Sequence, residues 1–316
     1  MQPSSHHHTL HPLSPHDRVA MAELRSLVEP NKGKLRGTAA RVPFDGIIGR
    51  TIAPEGVTFY EDTIGGVPGW WCEPADSRPD VVLLHMHGGW FNWGTAQAYR
   101  HLVGHIARSA RARAFVPDYR LAPEHPFPAA LDDAQACFQS LVERGVRTIA
   151  LTGDSAGGNL ALSLLARLSV SDAEVQPAAA VVLSPVTDLA MTGETWISRA
   201  QADPVFVREQ AEDLIAAYLA GHEATDPAAS PLYGQLAGLP PVRIHVGDDE
   251  VLLDDALRYV ARAVAAGVDA HVNVWAGMSH GFLGAVGRME AASEALAAIG
   301  DFLSAQLARH ETAMNV

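Results

Sequence analysis

From Thr148 the chain reads TIALTGDSAGGNLALSLLARL, ending at Leu168. Residues 148–152 form a short apolar run with the character of a buried strand. Residues 159–168 carry apolar side chains at helical spacing. Between them stands Gly153-Asp154-Ser155-Ala156-Gly157, a G-x-S-x-G pattern. Alone, such a pattern is as easily a glycine-rich structural turn as a catalytic one. Squeezed between a buried strand and a helix, it dictates a sharp turn that forces Ser155 into a strained backbone conformation with its hydroxyl presented for reaction. Gly153 and Gly157 let strand and helix approach closely, and the helix start offers backbone N–H groups to a developing negative charge. Ser155 is therefore the candidate nucleophile.

Outward from this turn, apolar strands alternate with helical patterns. Residues 58–64 and 67–73 read as two strands joined at Gly65-Gly66, a hairpin signal. Residues 81–84, 114–116, 179–183, 242–246 and 270–275 are further strands. Residues 128–144 form a helix closed by Gly145. Leu253, Ala256, Leu257, Val260 and Val264 mark one face of another, and residues 289–307 form an Ala-rich amphipathic tail helix. A hairpin followed by βαβα alternation predicts an α/β protein with a mostly parallel central sheet flanked by helices. Residues 190–225 break the rhythm: Trp196, Phe206, Leu214 and Tyr218 fall at helical spacing with no strand among them. They are expected to form a helical cap insertion, joined by an N-terminal cap segment over residues 1–48. Residues 49–189 and 226–316 then make the catalytic core.

The 316 residues include 23 Lys and Arg against 36 Asp and Glu, a formal charge of −13. A negative body repels nucleic acid and anionic lipid, so neither is expected as a partner. No apolar run approaches the roughly 20 residues of a spanning helix, and the first residues lack the basic start and apolar stretch of a signal peptide. The expectation is a cytoplasmic protein without membrane insertion. Cys72 and Cys137 are far apart, and Cys137 reads as a buried free thiol. His6, His7 and His8 are assigned no catalytic role and are expected to be mobile.

A serine nucleophile needs a histidine and an orienting acid. His280, in Met278-Ser279-His280-Gly281-Phe282, follows the last expected strand on a loop beside glycine. His245 lies mid-strand and reads as a packed histidine. For the acid, Asp248, Asp249, Glu250, Asp254 and Asp255 compete. Asp254 and Asp255 fit the first turn of the next helix, and periodicity does not separate Asp248 from Asp249. The oxyanion site needs N–H groups from a second loop. His87-Gly88-Gly89-Trp90-Phe91 supplies it, with Gly88, Gly89 and the N–H of Ala156 as donors. His87 reads as an anchor for this loop, Arg120 and Glu124 as a buried structural pair, and Asp132 and Asp133 as ordinary helix-start charges. Trp93 either lines a pocket or packs under the cap. A rival reading takes His85-x-His87 as the H-x-H of a metal hydrolase, since alternate strand residues face one side; the sequence offers no matching ligand set.

Three blocks together resemble the bacterial hormone-sensitive-lipase family of α/β-hydrolases: HGGWFNWG from His87, DYRLAPEHPFPAALDD from Asp118 and GDSAGGNLA from Gly153. The segments DPAASPLYGQLAGLPPVRIHVGDDEVLLDDA and SHGF are also similar to that family. The resemblance runs from about Val57 to the C-terminus. It implies the α/β-hydrolase fold, a cofactor-free, metal-free carboxylester hydrolase working through an acyl-enzyme, a cap built partly from the N-terminus, and Asp249 as the acid. The same triad would serve a lactone or amide hydrolase. A non-catalytic receptor of this fold would lack the histidine that SHGF retains. Trp90 departs from the family by replacing the third glycine of HGGG. With Trp93, Phe206 and Phe282 it is a candidate for the substrate pocket, and an indole there predicts short-chain or small hydrophobic esters. The resemblance also implies a homodimer, paired through an open edge on the last strand, residues 270–275.

Overall fold

The computed structural model describes residues 7–171 and 175–314. In chain order the elements are β1 (His8–His11), α1 (Pro15–Val28), α2 (Arg41–Ile48), β2 (Val57–Ile64), β3 (Val67–Pro74), β4 (Arg78–Met86), α3 (Ala96–Ala110), β5 (Ala112–Pro117), α4 (Ala129–Glu143), β6 (Thr148–Asp154), α5 (Ala156–Ser169), β7 (Ala180–Leu183), α6 (Thr195–Ser198), α7 (Arg208–Leu219), β8 (Val242–Gly247), α8 (Leu253–Ala265), β9 (Ala270–Trp275) and α9 (Glu290–Met314). The strands form one sheet in the order β1-β9-β8-β7-β6-β4-β5-β3-β2. β2 and β3 pair antiparallel with Ile64 opposite Val67, as the Gly65-Gly66 turn requires, and β3 runs antiparallel to β5. The remaining pairings are parallel.

Alternation along the buried strands sends side chains to two cores. Val82, Leu84 and Met86 of β4 join Leu131 and Phe138 of α4, Leu160 and Leu164 of α5 and Val260 of α8 on one face. Val81 and Leu83 join Leu102 and Ile106 of α3 and Leu296 and Leu303 of α9 on the other. Helix α3 is capped by the Thr95 hydroxyl, which accepts the Ala98 N–H. Cys72 and Cys137 are free and buried; burial pushes the Cys137 thiol up to about 12. Among the described residues no helix is long and apolar enough to cross a membrane.

The N-terminal segment departs from expectation. His6 lies outside the described residues, but Val272 donates its N–H to the His7 carbonyl and β1 pairs along β9, His8 opposite Val272 and His11 opposite Trp275. His11 stacks on the Trp275 indole at 3.8 Å. The last strand is therefore not an open edge. β1 satisfies its backbone groups, so the edge on which a β9-paired dimer was expected is already occupied. Nor is the stretch before Ile48 purely a cap: Asp17 accepts the N–H groups of Glu290 and Ala291, both at 2.8 Å, and so caps the start of α9.

The rest of that stretch does meet the insertion. Arg25 donates to the Ala202 carbonyl, Lys32 to those of Ala200 and Asp203, and Gly33 N–H to that of Val205. Gln210 donates to the Leu35 carbonyl, and Arg36 pairs with Asp213.

Candidate active site

At the C-terminal end of β6 the chain turns at Ser155 with φ 54° and ψ −120°, a conformation that costs a residue with a Cβ on the order of 1–3 kcal/mol. A Cβ on Gly153 would stand 2.3 Å from the Gly157 carbonyl oxygen, and one on Gly157 only 2.0 Å from that of Met86. Both glycines are thus demanded by the approach of strand, turn and helix. The Ser155 N–H donates to Leu183 at 2.8 Å, and its carbonyl accepts from Asn159 and Val186. With both backbone groups anchored, the strained turn is held by its neighbours.

β6, β8 and β9 run parallel, so the loops at their C-terminal ends share one edge of the sheet. His280, on the loop after β9, and Asp154, beside Ser155, line one cavity of about 50 Å³ with Thr51, Tyr99, Ser184 and Phe282. A larger groove of about 580 Å³, bordered by Asp76, Arg78 and Asp301, lies where β4 begins and contains none of the candidate residues.

Here the expected acid changes. His280 Nδ1 donates to Glu250 Oε2 at 2.9 Å. Glu250 is fully buried, and its Oε1 accepts the Ser184 hydroxyl and the Gly247 N–H, both at 2.7 Å. Asp249 instead pairs with Arg25 at 2.5 Å. Burial and the charge of Asp248 raise the Asp249 carboxyl, with Arg25 pulling the other way. Asp248 accepts the Gly277 N–H. The physical reason is the loop: each of three consecutive acids leaves it in a different direction, and only the longer glutamate meets the imidazole. Burial works against a charged His280, but Glu250 outweighs it, with Asp203 and Asp154 adding to the effect, so the imidazole is raised above its ordinary value.

The oxyanion loop also differs in detail. The Gly88 N–H donates to Asp154 Oδ1 at 2.9 Å and is spent there. The N–H groups of Gly89, Trp90 and Ala156 meet no acceptor among the described residues. Gly89 has φ 118° and Trp90 φ 53°, so the position of the third family glycine keeps the left-handed backbone that favours glycine although it holds an indole. His87 anchors the loop as expected: its ring donates to Gly88 O at 2.8 Å and stacks on Tyr119, whose hydroxyl donates to His87 O. His85 hydrogen-bonds Thr152 at 3.0 Å.

The four pocket candidates separate. Trp90 is fully buried, with its ring 5.3 Å from Phe206 and 6.4 Å from Trp196. Phe206 in turn meets His280 edge-on at 4.7 Å. Trp93 donates its indole N–H to Gly37 and packs on Phe44, under the N-terminal segment. Phe282 packs on Trp275 behind His280. Trp196, not singled out for the pocket in the sequence, completes the aromatic group; its helical spacing in the insertion was the available signal.

Four further readings are decided by contacts and burial. Arg120 does not pair with Glu124: it grips Asp133 through Nε and Nη2, while Glu124 takes Arg41. Asp133 is accordingly a buried partner rather than an ordinary helix-start charge. Asp255 is fully buried, accepting the N–H groups of Thr187 and Asp188. His245 is a packed histidine, driven down to about 3 by burial.

A family model described as the alpha/beta hydrolase fold matches residues 83–284. The chain is 38% identical over 222 residues to an acetyl-hydrolase of Streptomyces hygroscopicus, covering 69% of this chain and 73% of that protein. It is 35% identical over 231 residues to an esterase of Acinetobacter venetianus, covering 72% and 76%. Among solved structures, an esterase from the bacterial hormone-sensitive lipase family superimposes with a TM-score of 0.87 at 36% identity, covering 94% of this chain and 100% of that one.

Proposed function

Because this chain belongs to the bacterial hormone-sensitive-lipase family of α/β-hydrolases and is a carboxylesterase-type hydrolase, we propose that it cleaves esters with Ser155 as nucleophile, His280 as base and Glu250 as the orienting acid. The observation that carries this reading is the strained Ser155 turn at the sheet edge where Glu250 fixes His280 at 2.9 Å. Ser155 Oγ attacks the ester carbonyl while His280 Nε2 takes its proton. Glu250 holds the ring through Nδ1 and stabilises the imidazolium. The oxyanion is received by the unspent N–H groups of Gly89, Trp90 and Ala156. The imidazolium then gives its proton to the departing alcohol, leaving an acyl-serine. Water attacks that ester with His280 again as base, releasing the acid and free Ser155.

The aromatic group of Trp90, Trp196 and Phe206 supports a narrow site for short acyl groups. The contacts of α1 and of residues 32–36 with the insertion support a cap over it. The test is covalent. A sulfonyl fluoride should add one adduct, located at Ser155 by peptide mass, and abolish ester cleavage in step with labelling. Full activity in a Ser155→Ala variant would end the reading.

A further inference from the structure

Asp203 lies in the insertion between α6 and α7 and has no exposed surface. Its Oδ1 accepts the N–H groups of Val205 at 2.7 Å and Phe206 at 3.0 Å. Its Oδ2 accepts the N–H of Val251 at 3.0 Å. Val251 directly follows Glu250, and its carbonyl is held from the same insertion by the Thr195 hydroxyl at 2.7 Å. Phe206, whose backbone this carboxylate fixes, sets its ring edge-on against His280. A single buried side chain thus holds both the ring covering the histidine and the loop carrying its acid.

We propose that Asp203 is a positioning residue for the esterase reaction: it welds the insertion to the acid loop and keeps Glu250, His280 and Phe206 in register. This rests on the triad reading given above. The insertion then does more than cover the substrate, because the acid loop has no other holder of the Val251 N–H among the described residues. Asp203 also joins Glu250, from the acid loop, and Asp154, from the turn before Ser155, in the set of carboxylates that face the imidazole. The neighbouring Asp249 has its charge matched by Arg25 of α1.

Asp203→Asn separates positioning from simple packing. An amide cannot accept at both ends, so at least one of the three N–H groups loses its partner. The charge facing His280 is lost as well. We expect kcat to fall roughly 10- to 100-fold, as for other small misplacements of reacting groups, with KM nearly unchanged. The acid limb of kcat/KM should move to lower pH, because a charge that favours the imidazolium has gone. Thr195→Val loosens the same loop without touching charge; it should lower kcat less and leave the limb in place.

An unchanged kcat, an unmoved acid limb, or a loss confined to KM in Asp203→Asn overturns the proposal. If that variant does not fold, hydrogen exchange in the wild-type protein decides. The Phe206 and Val251 amides should open together, and exchange protection differing by more than about tenfold rejects the weld. Failure of the triad itself shows differently, as activity surviving in Ser155→Ala.

Discussion

Glu250 Oε2 lies 2.9 Å from His280 Nδ1, while the side chain one residue earlier, Asp249, reaches back to Arg25 of α1. Two adjacent acids thus have separate tasks, one on the imidazole and one on the N-terminal helix. Glu250→Gln should cost on the order of 10⁴ in kcat by analogy with other triads, since an amide presents the wrong hydrogen to Nδ1. Asp249→Asn and Arg25→Ala should each cost less than about tenfold, the scale of a partly exposed ion pair. Steady-state kinetics of the three variants on one chromogenic ester ranks them, and a larger loss in Asp249→Asn than in Glu250→Gln reverses the assignment.

The catalytic cycle needs a neutral imidazole. Burial opposes the charged form, but Glu250 raises His280 above its ordinary value. Activity should therefore fall as pH drops through a point above about 6.5. The same raised value stabilises the folded state at pH below the unfolded histidine's range, and that contribution is lost as pH rises through the folded value. Glu250→Gln should bring the limb down. A wild-type limb in kcat/KM below that of free histidine contradicts the geometry.

Asp255 titrates in the same sense for stability, over a window that begins at lower pH. Burial, then the charge of Asp188, raises its carboxyl to about 7 against the pull of the Thr187 and Asp188 N–H groups. The unfolded chain ionises it near 3.9. Between roughly pH 4 and 7 the folded protein keeps a proton that the unfolded chain gives up, so Asp255 makes stability fall as pH rises through that window. Asp255 Oδ1 has no hydrogen-bond partner among the described residues, which leaves a place for an amide. Asp255→Asn should flatten the slope, measured by urea unfolding at several pH values. A slope identical to wild type removes Asp255 from the account.

Trp90 has left-handed backbone and a buried ring against Phe206 and Trp196. Trp90→Gly relieves the backbone and removes a wall. Hydrolysis should extend to longer acyl chains, since each methylene an apolar pocket accepts or refuses is worth about 1–3 kcal/mol. Stability should fall by less than the roughly 3–5 kcal/mol usual for deleting a buried aromatic. A series of p-nitrophenyl esters checks both, and an unchanged chain-length profile makes Trp90 a packing residue only.

What the sequence disclosed follows from what local chemistry can encode. The central strands were legible because burial on both faces demands unbroken apolar runs, and the Ser155 turn because two glycines mark its close approaches. Helix α3 was missed although Tyr99, Leu102, Val103 and Ile106 carry its period after the Thr95 cap. β1 was not legible: four residues reading HTLH owe their extended state to β9, more than 260 positions away. The roles of Asp248, Asp249 and Glu250 escaped for the same reason. Their partners Gly277, Arg25 and His280 are distant in sequence, and family likeness pointed one residue short.

The β1–β9 pairing sets a clock for the nascent chain. His11 cannot find Trp275 until the more than 260 residues between them have left the ribosome. Asp17 must wait longer still, for Glu290 and Ala291. β1 is made before the other strands yet is among the last to settle, because closing so long a loop carries an entropic cost that grows with its length. Arg25 travels with that segment, so its hold on Asp249, beside Glu250, is fastened only after the strands of the sheet have been made.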